Sequence, residues 1–117
     1  MYRMAKIDRQ LQREISLLLE RRIKNNVAKN AIITGVNCSR DLETARVYFT
    51  TLDRSLRDPV LEALRAIKGA MRTMLGQVLT LRRVPALDFV IDASIDYGER
   101  IDGILDKLQA EARIERQ

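Results

Sequence analysis

Apolar residues recur at helical spacing in the first segment of the chain. Between residues 3 and 24, apolar positions share one arc at about 100° per residue, and basic positions share the opposite arc. The apolar positions are Met4, Ile7, Leu11, Ile15, Leu18 and Leu19. The basic positions are Arg3, Lys6, Arg9, Arg13, Arg21 and Lys24. The pattern predicts an amphipathic helix followed by an asparagine-rich loop, and the basic arc is either a solvated face or a contact for a polyanion.

Two segments with the composition of strands follow the loop. Residues 31–38 and 45–52 are rich in β-branched and aromatic side chains. Ala45, Val47 and Phe49 alternate onto one face of the second segment, and a short polar connector separates the two segments. We therefore predict an antiparallel hairpin.

A second helical periodicity begins at Asp58 and Pro59. This pair is typical of a helix start, because aspartate can cap free N–H groups and proline at the first helical position loses no hydrogen bond. The apolar residues that follow at helical spacing are Leu61, Leu64, Ile67, Met71, Met74, Leu75, Val78 and Leu81.

Gly69 lies within this periodicity, and glycine costs about 1 kcal/mol relative to alanine inside a helix. We interpret the segment as two helices, over residues 59–67 and 70–81, joined by a bend at residues 67–69. A single helix that tolerates the glycine fits the same pattern.

A third strand and a final helix complete the pattern. Pro85 is acceptable at the start of a strand, and Leu87, Phe89 and Ile91 then alternate. Beyond Gly98, apolar residues recur at helical spacing, and they are Ile101, Ile104, Leu105 and Leu108. The predicted order is α-β-β-α-(bend)-α-β plus a C-terminal helix. It indicates an α+β fold with helices packed on one face of a three-stranded sheet.

Composition excludes several classes of function. The chain has no histidine and a single cysteine, Cys38, so it lacks the commonest general base and a plausible zinc ligand set. Cys38 is expected to be a small buried residue in a strand. We expect no enzyme activity, no catalytic residue, no metal and no cofactor. No apolar stretch reaches the roughly 18 residues of a membrane span and no secretory signal is evident, so we expect a cytoplasmic protein. The chain also shows no sustained heptad, which favours a monomer.

Charge is distributed unevenly along the chain. Residues 1–92 carry 17 Lys and Arg against 10 Asp and Glu, whereas residues 93–117 carry 4 against 6. A basic body with a mildly acidic tail indicates a polyanionic partner for the body.

Several short runs of sequence resemble the ribosome-binding factor A family. They occur in the family's order over residues 3–108, and any one of them alone would be weak evidence. The runs are VNCSRDL at 36–42, ARVY at 45–48, KGAMR at 68–72, LG at 75–76 and LRRVPALDF at 81–89, with Ile23 and Lys24 ending the first helix.

The resemblance implies a type II KH-like RNA-binding domain at residues 3–96, with residues 97–117 as a short amphipathic helix and tail. It further implies a non-catalytic factor that binds the small ribosomal subunit, assists late maturation of its ribosomal RNA and supports adaptation to cold. The family lacks the GxxG loop of ordinary KH domains, and so does this chain. In place of that loop it carries an Ala-x-Gly bend, which corresponds here to Ile67, Lys68 and Gly69, with isoleucine in place of the usual alanine.

Candidate RNA contacts are the basic side chains and the bend. A bend at Gly69 would expose the first N–H groups of a helix over residues 70–81, where phosphate binds readily, with Lys68 and Arg72 on either side. The full candidate set is Arg3, Lys6, Arg9, Arg13, Arg40, Lys68, Gly69, Arg72, Arg82 and Arg83. The aromatic residues Tyr48, Phe49 and Phe89 are expected in the core rather than stacked on bases.

Two other functions remain open at this point. One is a KH-like protein with a different RNA target. The other is a protein-interaction domain whose basic faces only keep it soluble. A filter-binding assay with ribosomal RNA across a salt series would separate this domain from both RNA-binding functions.

Overall fold

The computed structural model describes residues 2–81, 83–92 and 94, with side chains from Met4 onward. Its two helices are α1 (Tyr2–Arg21) and α2 (Arg57–Val78), and its three strands are β1 (Ile32–Cys38), β2 (Thr44–Thr50) and β3 (Ala86–Ile91). Short 3-10 turns at Ala28–Asn30 and Arg54–Leu56 precede β1 and α2. The predicted C-terminal helix lies outside the described residues.

The three strands form one mixed sheet in the order β1-β2-β3. β1 pairs antiparallel with β2, from Ile32 opposite Thr50 to Cys38 opposite Ala45, with an irregularity between Ile33 and Gly35. β3 adds to the other side of β2 in parallel. The predicted hairpin and third strand are therefore confirmed.

The helices and the sheet share one hydrophobic core. Alternation along the strands places Val47, Phe49 and Phe89 on one face, and each is at most 1% exposed. The buried residues Leu11 of α1 and Leu64 of α2 belong to the same cluster. The expected α+β fold, with both helices on one face of a three-stranded sheet, is confirmed. No helix in the described part of the chain combines the length and the apolar character needed to cross a membrane.

Side chains of α1 cover the outer edge of β1. The main-chain N–H of Cys38 donates to Oδ1 of Asp8 at 2.9 Å. Toward the other end of the strand, Nε2 of Gln12 donates to the carbonyl of Ile33 at 3.5 Å. An edge strand otherwise exposes unpaired N–H and C=O groups, so these contacts both orient α1 and protect the edge.

The predicted bend in α2 is wrong, and the single-helix alternative is correct. α2 runs without a break from Arg57 to Val78, and no glycine in the described residues has positive φ. The cost of one glycine is about 1 kcal/mol, whereas burying one leucine or methionine side chain gains about 1.5–3 kcal/mol. Met71 and Leu75, just beyond Gly69, are fully buried, so their burial outweighs the cost of the glycine.

The predicted start of α2 is also wrong. The helix begins at Arg57, and the aspartate that caps this region is Asp53, whose Oδ1 accepts from the N–H of Ser55 at 2.9 Å. The 3-10 turn leads directly into α2, so Pro59 becomes the third helical residue, where proline still needs no N–H partner. At its end, α2 stops three residues before the predicted Leu81.

Candidate nucleic-acid interface

One end of the sheet is formed by the hairpin connector and the first residues of β2 and β3. Thr44 of β2 pairs with Ala86 of β3 there, and the N–H of Ala86 donates to the carbonyl of Glu43 at 2.9 Å. Arg40 is exposed within the connector. This end of the sheet therefore places a basic side chain next to the start of two parallel strands.

The connector is held by a compact hydrogen-bond network. The hydroxyl of Ser39 donates to Oδ1 of Asp41 at 2.7 Å, and the N–H of Glu43 donates to the same oxygen at 3.0 Å. Both donors lower the pKa of Asp41 below its ordinary value, and the Ser39 hydroxyl has the larger effect. Leu42 has a φ of 60°, a left-handed conformation that is uncommon for residues other than glycine. The network thus fixes the backbone that carries Arg40.

The exposed face of α2 carries a row of basic side chains. Arg65, Lys68 and Arg72 are all exposed and are spaced three and four residues apart, so they lie on neighbouring turns of one helix face. Nε of Arg72 donates to the carbonyl of Val84 at 3.0 Å, which joins α2 to the segment that enters β3. That bond uses one of the five N–H donors of the guanidinium group.

Arg83 meets the connector through an ion pair. Its Nη1 lies 3.4 Å from Oε1 of Glu43, and both side chains are more than half exposed. Exposed pairs of this kind contribute between about 0 and 1 kcal/mol, so the pair is readily exchanged for a phosphate contact. Arg83 therefore stays a candidate contact, although Glu43 partly offsets its charge.

Lys68 borders a surface cavity at this same end of the sheet. The cavity has a volume of about 520 Å³, and its lining includes Ser39, Thr44 and Ala86. On the strands, Arg46 and Asp88 also line it and pair at 3.9 Å. Four basic side chains thus gather where β2 and β3 begin, and we call them the sheet-end cluster: Arg40, Lys68, Arg72 and Arg83. Among the described residues, Arg40 and Lys68 have no hydrogen-bond or ion-pair partner for their side chains.

The basic residues of α1 divide between two places. Lys6 and Arg9 are exposed on either side of Asp8, which bonds to Cys38 at the sheet end. Arg13 follows Gln12, whose amide reaches Ile33 near the opposite end of β1. The structure therefore brings Lys6 and Arg9 toward the sheet-end cluster and leaves Arg13 farther away.

Three other candidates have different outcomes. The side chain of Arg3 and the whole of Arg82 lie outside the described residues. Gly69 sits inside the unbroken α2, so the predicted phosphate site at a second helix N-terminus is wrong. The N–H groups that follow Gly69 belong to the interior of the helix and are not free donors.

Cysteine and the aromatic residues take mostly structural positions. Phe49 and Phe89 are buried in the core, as predicted. Tyr48 is half-buried on the open face of the sheet opposite Gly35, so its predicted place in the core is wrong. Cys38 is 6% exposed, which confirms that it is a small buried residue. Burial raises the pKa of its thiol most, and the nearby carboxylates of Asp8 and Asp41 raise it further.

Comparison with known proteins then decides the family. A profile of the family described as ribosome-binding factor A matches residues 3–105. The chain belongs to the ribosome-binding factor A family. A ribosome-binding factor A of Francisella philomiragia is 40% identical to it over 116 residues, covering 98% of this chain and 81% of the relative.

Solved structures show the same fold. The crystal structure of ribosome-binding factor A from Thermus thermophilus matches with a TM-score of 0.68 at 20% identity, covering 75% of this chain and 93% of that chain. A homology model of the Thermus thermophilus factor, fitted into a cryo-EM map of a 30S–RbfA complex, matches with a TM-score of 0.61 at 20% identity, covering 73% of this chain and 90% of that chain. The family profile and the 40% identical relative confirm the resemblance predicted from the short runs.

Two basic residues of this candidate interface were missed in the sequence. Arg65 extends the basic row of α2 by one turn, and its spacing of three residues from Lys68 could have revealed it. Arg46 lines the cavity at the sheet end, but its meeting with Lys68 depends on tertiary packing that no local pattern shows.

Proposed function

We propose that this protein binds the small ribosomal subunit through its ribosomal RNA and assists late maturation and processing of that RNA, including at low temperature. Membership of the ribosome-binding factor A family carries the proposal. The fitted complex of the Thermus thermophilus factor with the 30S subunit supports it.

The sheet-end cluster is the proposed RNA contact. Arg40 and Lys68 are exposed and their side chains have no partner among the described residues, so they can bind phosphates without first breaking an ion pair. Because α2 is unbroken, the contact depends on side-chain cations and not on helix N–H groups. Lys6 and Arg9 extend the same surface along α1, and Arg3, Arg13 and Arg82 are proposed as further contacts.

The proposed mode of action is binding without catalysis. The chain contains no histidine, and we assign it no catalytic residue, metal or cofactor. We propose that residues 3–96 form a KH-like domain of type II, which the mixed sheet supports. Residues 97–117 are proposed as a separate tail, and the protein is proposed to act as a cytoplasmic monomer.

Sedimentation of cell extracts through a sucrose gradient tests the proposal. We expect the protein to comigrate with free small subunits and not with assembled ribosomes. Deleting the gene should slow growth in the cold and leave unprocessed ends on the small-subunit RNA, measured by primer extension. Normal RNA ends in the cold would contradict the role in maturation.

The gradient also separates the alternatives. Recovery of the protein with another RNA and not with small subunits would indicate a KH-like protein with a different target. Recovery in an RNase-resistant complex that lacks ribosomal RNA would indicate a protein-interaction domain.

A further inference from the structure

A second basic surface lies at the opposite end of the sheet from the sheet-end cluster. It surrounds Lys29 and Ile32, at the start of β1, and two adjacent cavities share these two residues. The larger cavity, of about 370 Å³, extends toward Leu19 of α1, and the smaller, of about 270 Å³, extends toward Leu52. The two cavities therefore flank Lys29 and Ile32, and we call the two together the groove.

Exposed aliphatic side chains lie in and beside this groove: Ile32 and Leu52 line it, and Val27 belongs to the loop that carries Lys29. Leu52 is 95% exposed, Ile32 is 43% exposed and Val27 is 42% exposed. In the described part of the chain, the one other exposed large hydrophobic residue is Val78, at the end of α2. A group of apolar side chains left in water beside polar residues marks an interaction surface.

The surroundings of the groove are also basic. Residues 20–30 contain four basic side chains, one of which is Lys29, and a single carboxylate, that of Glu20. Arg21, Lys24 and Lys29 are exposed, and their side chains have no partner among the described residues. Across the groove, Oδ1 of Asp53 already accepts from the N–H and the hydroxyl of Ser55 at 2.9 and 2.7 Å. With both Glu20 and Asp53 counted, residues 20–30 and 52–53 carry four basic side chains against two acidic ones, a balance of +2 that favours an anionic partner.

The loop that carries Lys29 is held by side-chain hydrogen bonds. Oδ1 of Asn25 accepts from the N–H groups of Val27 and Ala28 at 3.0 and 3.1 Å. The amide of Asn30 donates to the carbonyls of Asn26 and Val27 at 3.0 and 3.2 Å. A loop fixed in this way binds without a large ordering cost.

We propose that Arg21, Lys24 and Lys29, together with Val27, Ile32 and Leu52, form a second RNA contact, and that it is specific for unpaired nucleotides. Phosphates lie against the cations, while exposed base faces lie against the aliphatic side chains. A duplex offers phosphates but keeps its base faces stacked, whereas unpaired RNA offers both. The inference rests on the proposed function, because it assumes an RNA partner.

Binding across a salt series tests the electrostatic half of the proposal. The variant Lys24→Glu/Lys29→Glu should bind purified small subunits more weakly than the parent. Its slope of log affinity against log salt should be smaller by about 2, for two lost phosphate contacts. With short RNAs of equal length, it should lose more affinity for an unstructured strand than for a duplex. Both lysines are exposed, so melting curves should show that the variant remains folded.

A charge-compensated variant controls for net charge. Lys29→Glu combined with Glu115→Lys, in the proposed tail at residues 97–117, leaves the total charge of the chain unchanged. We expect this variant to bind as weakly as Lys29→Glu alone. Parental affinity in the compensated variant would overturn the proposal, because the surface would then act only through total charge.

A photoreactive benzoylphenylalanine in place of Leu52 tests the apolar half. On irradiation of the complex with small subunits, we expect cross-links to ribosomal RNA. Cross-links to ribosomal protein alone, or none, would overturn the second contact. If the parent protein binds small subunits but the double variant keeps its salt slope, only this inference fails. If the parent does not bind small subunits at all, the proposed function fails with it.

Discussion

Thr73 donates its hydroxyl to the main-chain carbonyl of Gly69, 3.2 Å away and one helical turn earlier in the chain. The bond connects two residues of one continuous helix. It shows that Gly69 has helical geometry in a segment where the sequence, and the resemblance to the family, indicated a bend. The consequence is that this glycine can be replaced.

Gly69→Ala should stabilise the protein. An added Cβ at this position meets no atom within 4 Å, and the residue does not have positive φ. Alanine should therefore raise the free energy of unfolding by up to about 1 kcal/mol, as measured by urea denaturation. The matched control is Ala66→Gly, at an exposed position of the same helix, which should lower it by a similar amount. A destabilised Gly69→Ala protein would show that the chain bends here in solution.

The contact between α1 and the edge of β1 should contribute measurably to stability. Asp8→Ala removes the acceptor of the Cys38 N–H and should cost about 1.5–3 kcal/mol, the range for a hydrogen bond to a charged group. Asp8→Asn keeps an amide oxygen at this position and should cost less. Urea denaturation of both variants measures the difference, and Arg9→Ala, an exposed neighbour, should change stability by less than about 0.5 kcal/mol. Equal losses in the two Asp8 variants would argue against the bond.

The sheet and α1 were predictable because their apolar periodicity coincides with their burial. Val47, Phe49 and Phe89 alternate in the sequence and are the residues that the sheet buries. In α1, Leu11 and Ile15 recur one turn apart and are both fully buried. Where a periodic pattern and a buried face agree, the local signal is sufficient.

The course of α2 was not predictable, because two local signals opposed its packing. Gly69 favours a break, and Asp58 with Pro59 favours a later start, but each effect amounts to only about 1 kcal/mol. Burial of Met71 and Leu75 decides the outcome, and burial depends on the sheet beneath. Lys68 and Arg72 were expected on either side of a bend, whereas they lie one turn apart on the exposed face of one helix. The ion pair of Arg83 with Glu43 joins residues far apart in the chain, so no local pattern could show it.

Acid should destabilise the protein through Asp92. The hydroxyls of Ser94 and Thr34 donate to this carboxylate and lower its pKa below the ordinary value, Ser94 having the larger effect. A lowered pKa in the folded state stabilises the fold at every pH above the unfolded value of about 3.9. That contribution is lost as pH falls below about 4 and through the folded pKa.

Urea denaturation of the parent and of Asp92→Asn at about pH 6 and about pH 3, on either side of the unfolded pKa, measures this contribution. The parent should lose more stability than the variant between the two pH values, because asparagine does not titrate. Asp41 and Asp53 also have lowered pKa values, each caused first by a serine hydroxyl, so the variant should retain part of the acid sensitivity. An identical pH dependence in parent and variant would exclude Asp92 as a source.

Lys68→Glu should separate RNA binding from folding. Lys68 is exposed and its side chain has no partner among the described residues, so the substitution should change the free energy of unfolding by less than about 0.5 kcal/mol. The same change removes one phosphate contact and adds repulsion. For the parent, the slope of log affinity for small subunits against log salt is expected to be about −3 to −5 if about four to six phosphates are neutralised. In the variant, the magnitude of this slope should therefore fall by about 1. Lys68→Arg keeps the charge and should bind like the parent. Unchanged association of Lys68→Glu at matched salt would show that the sheet-end cluster is not the RNA contact.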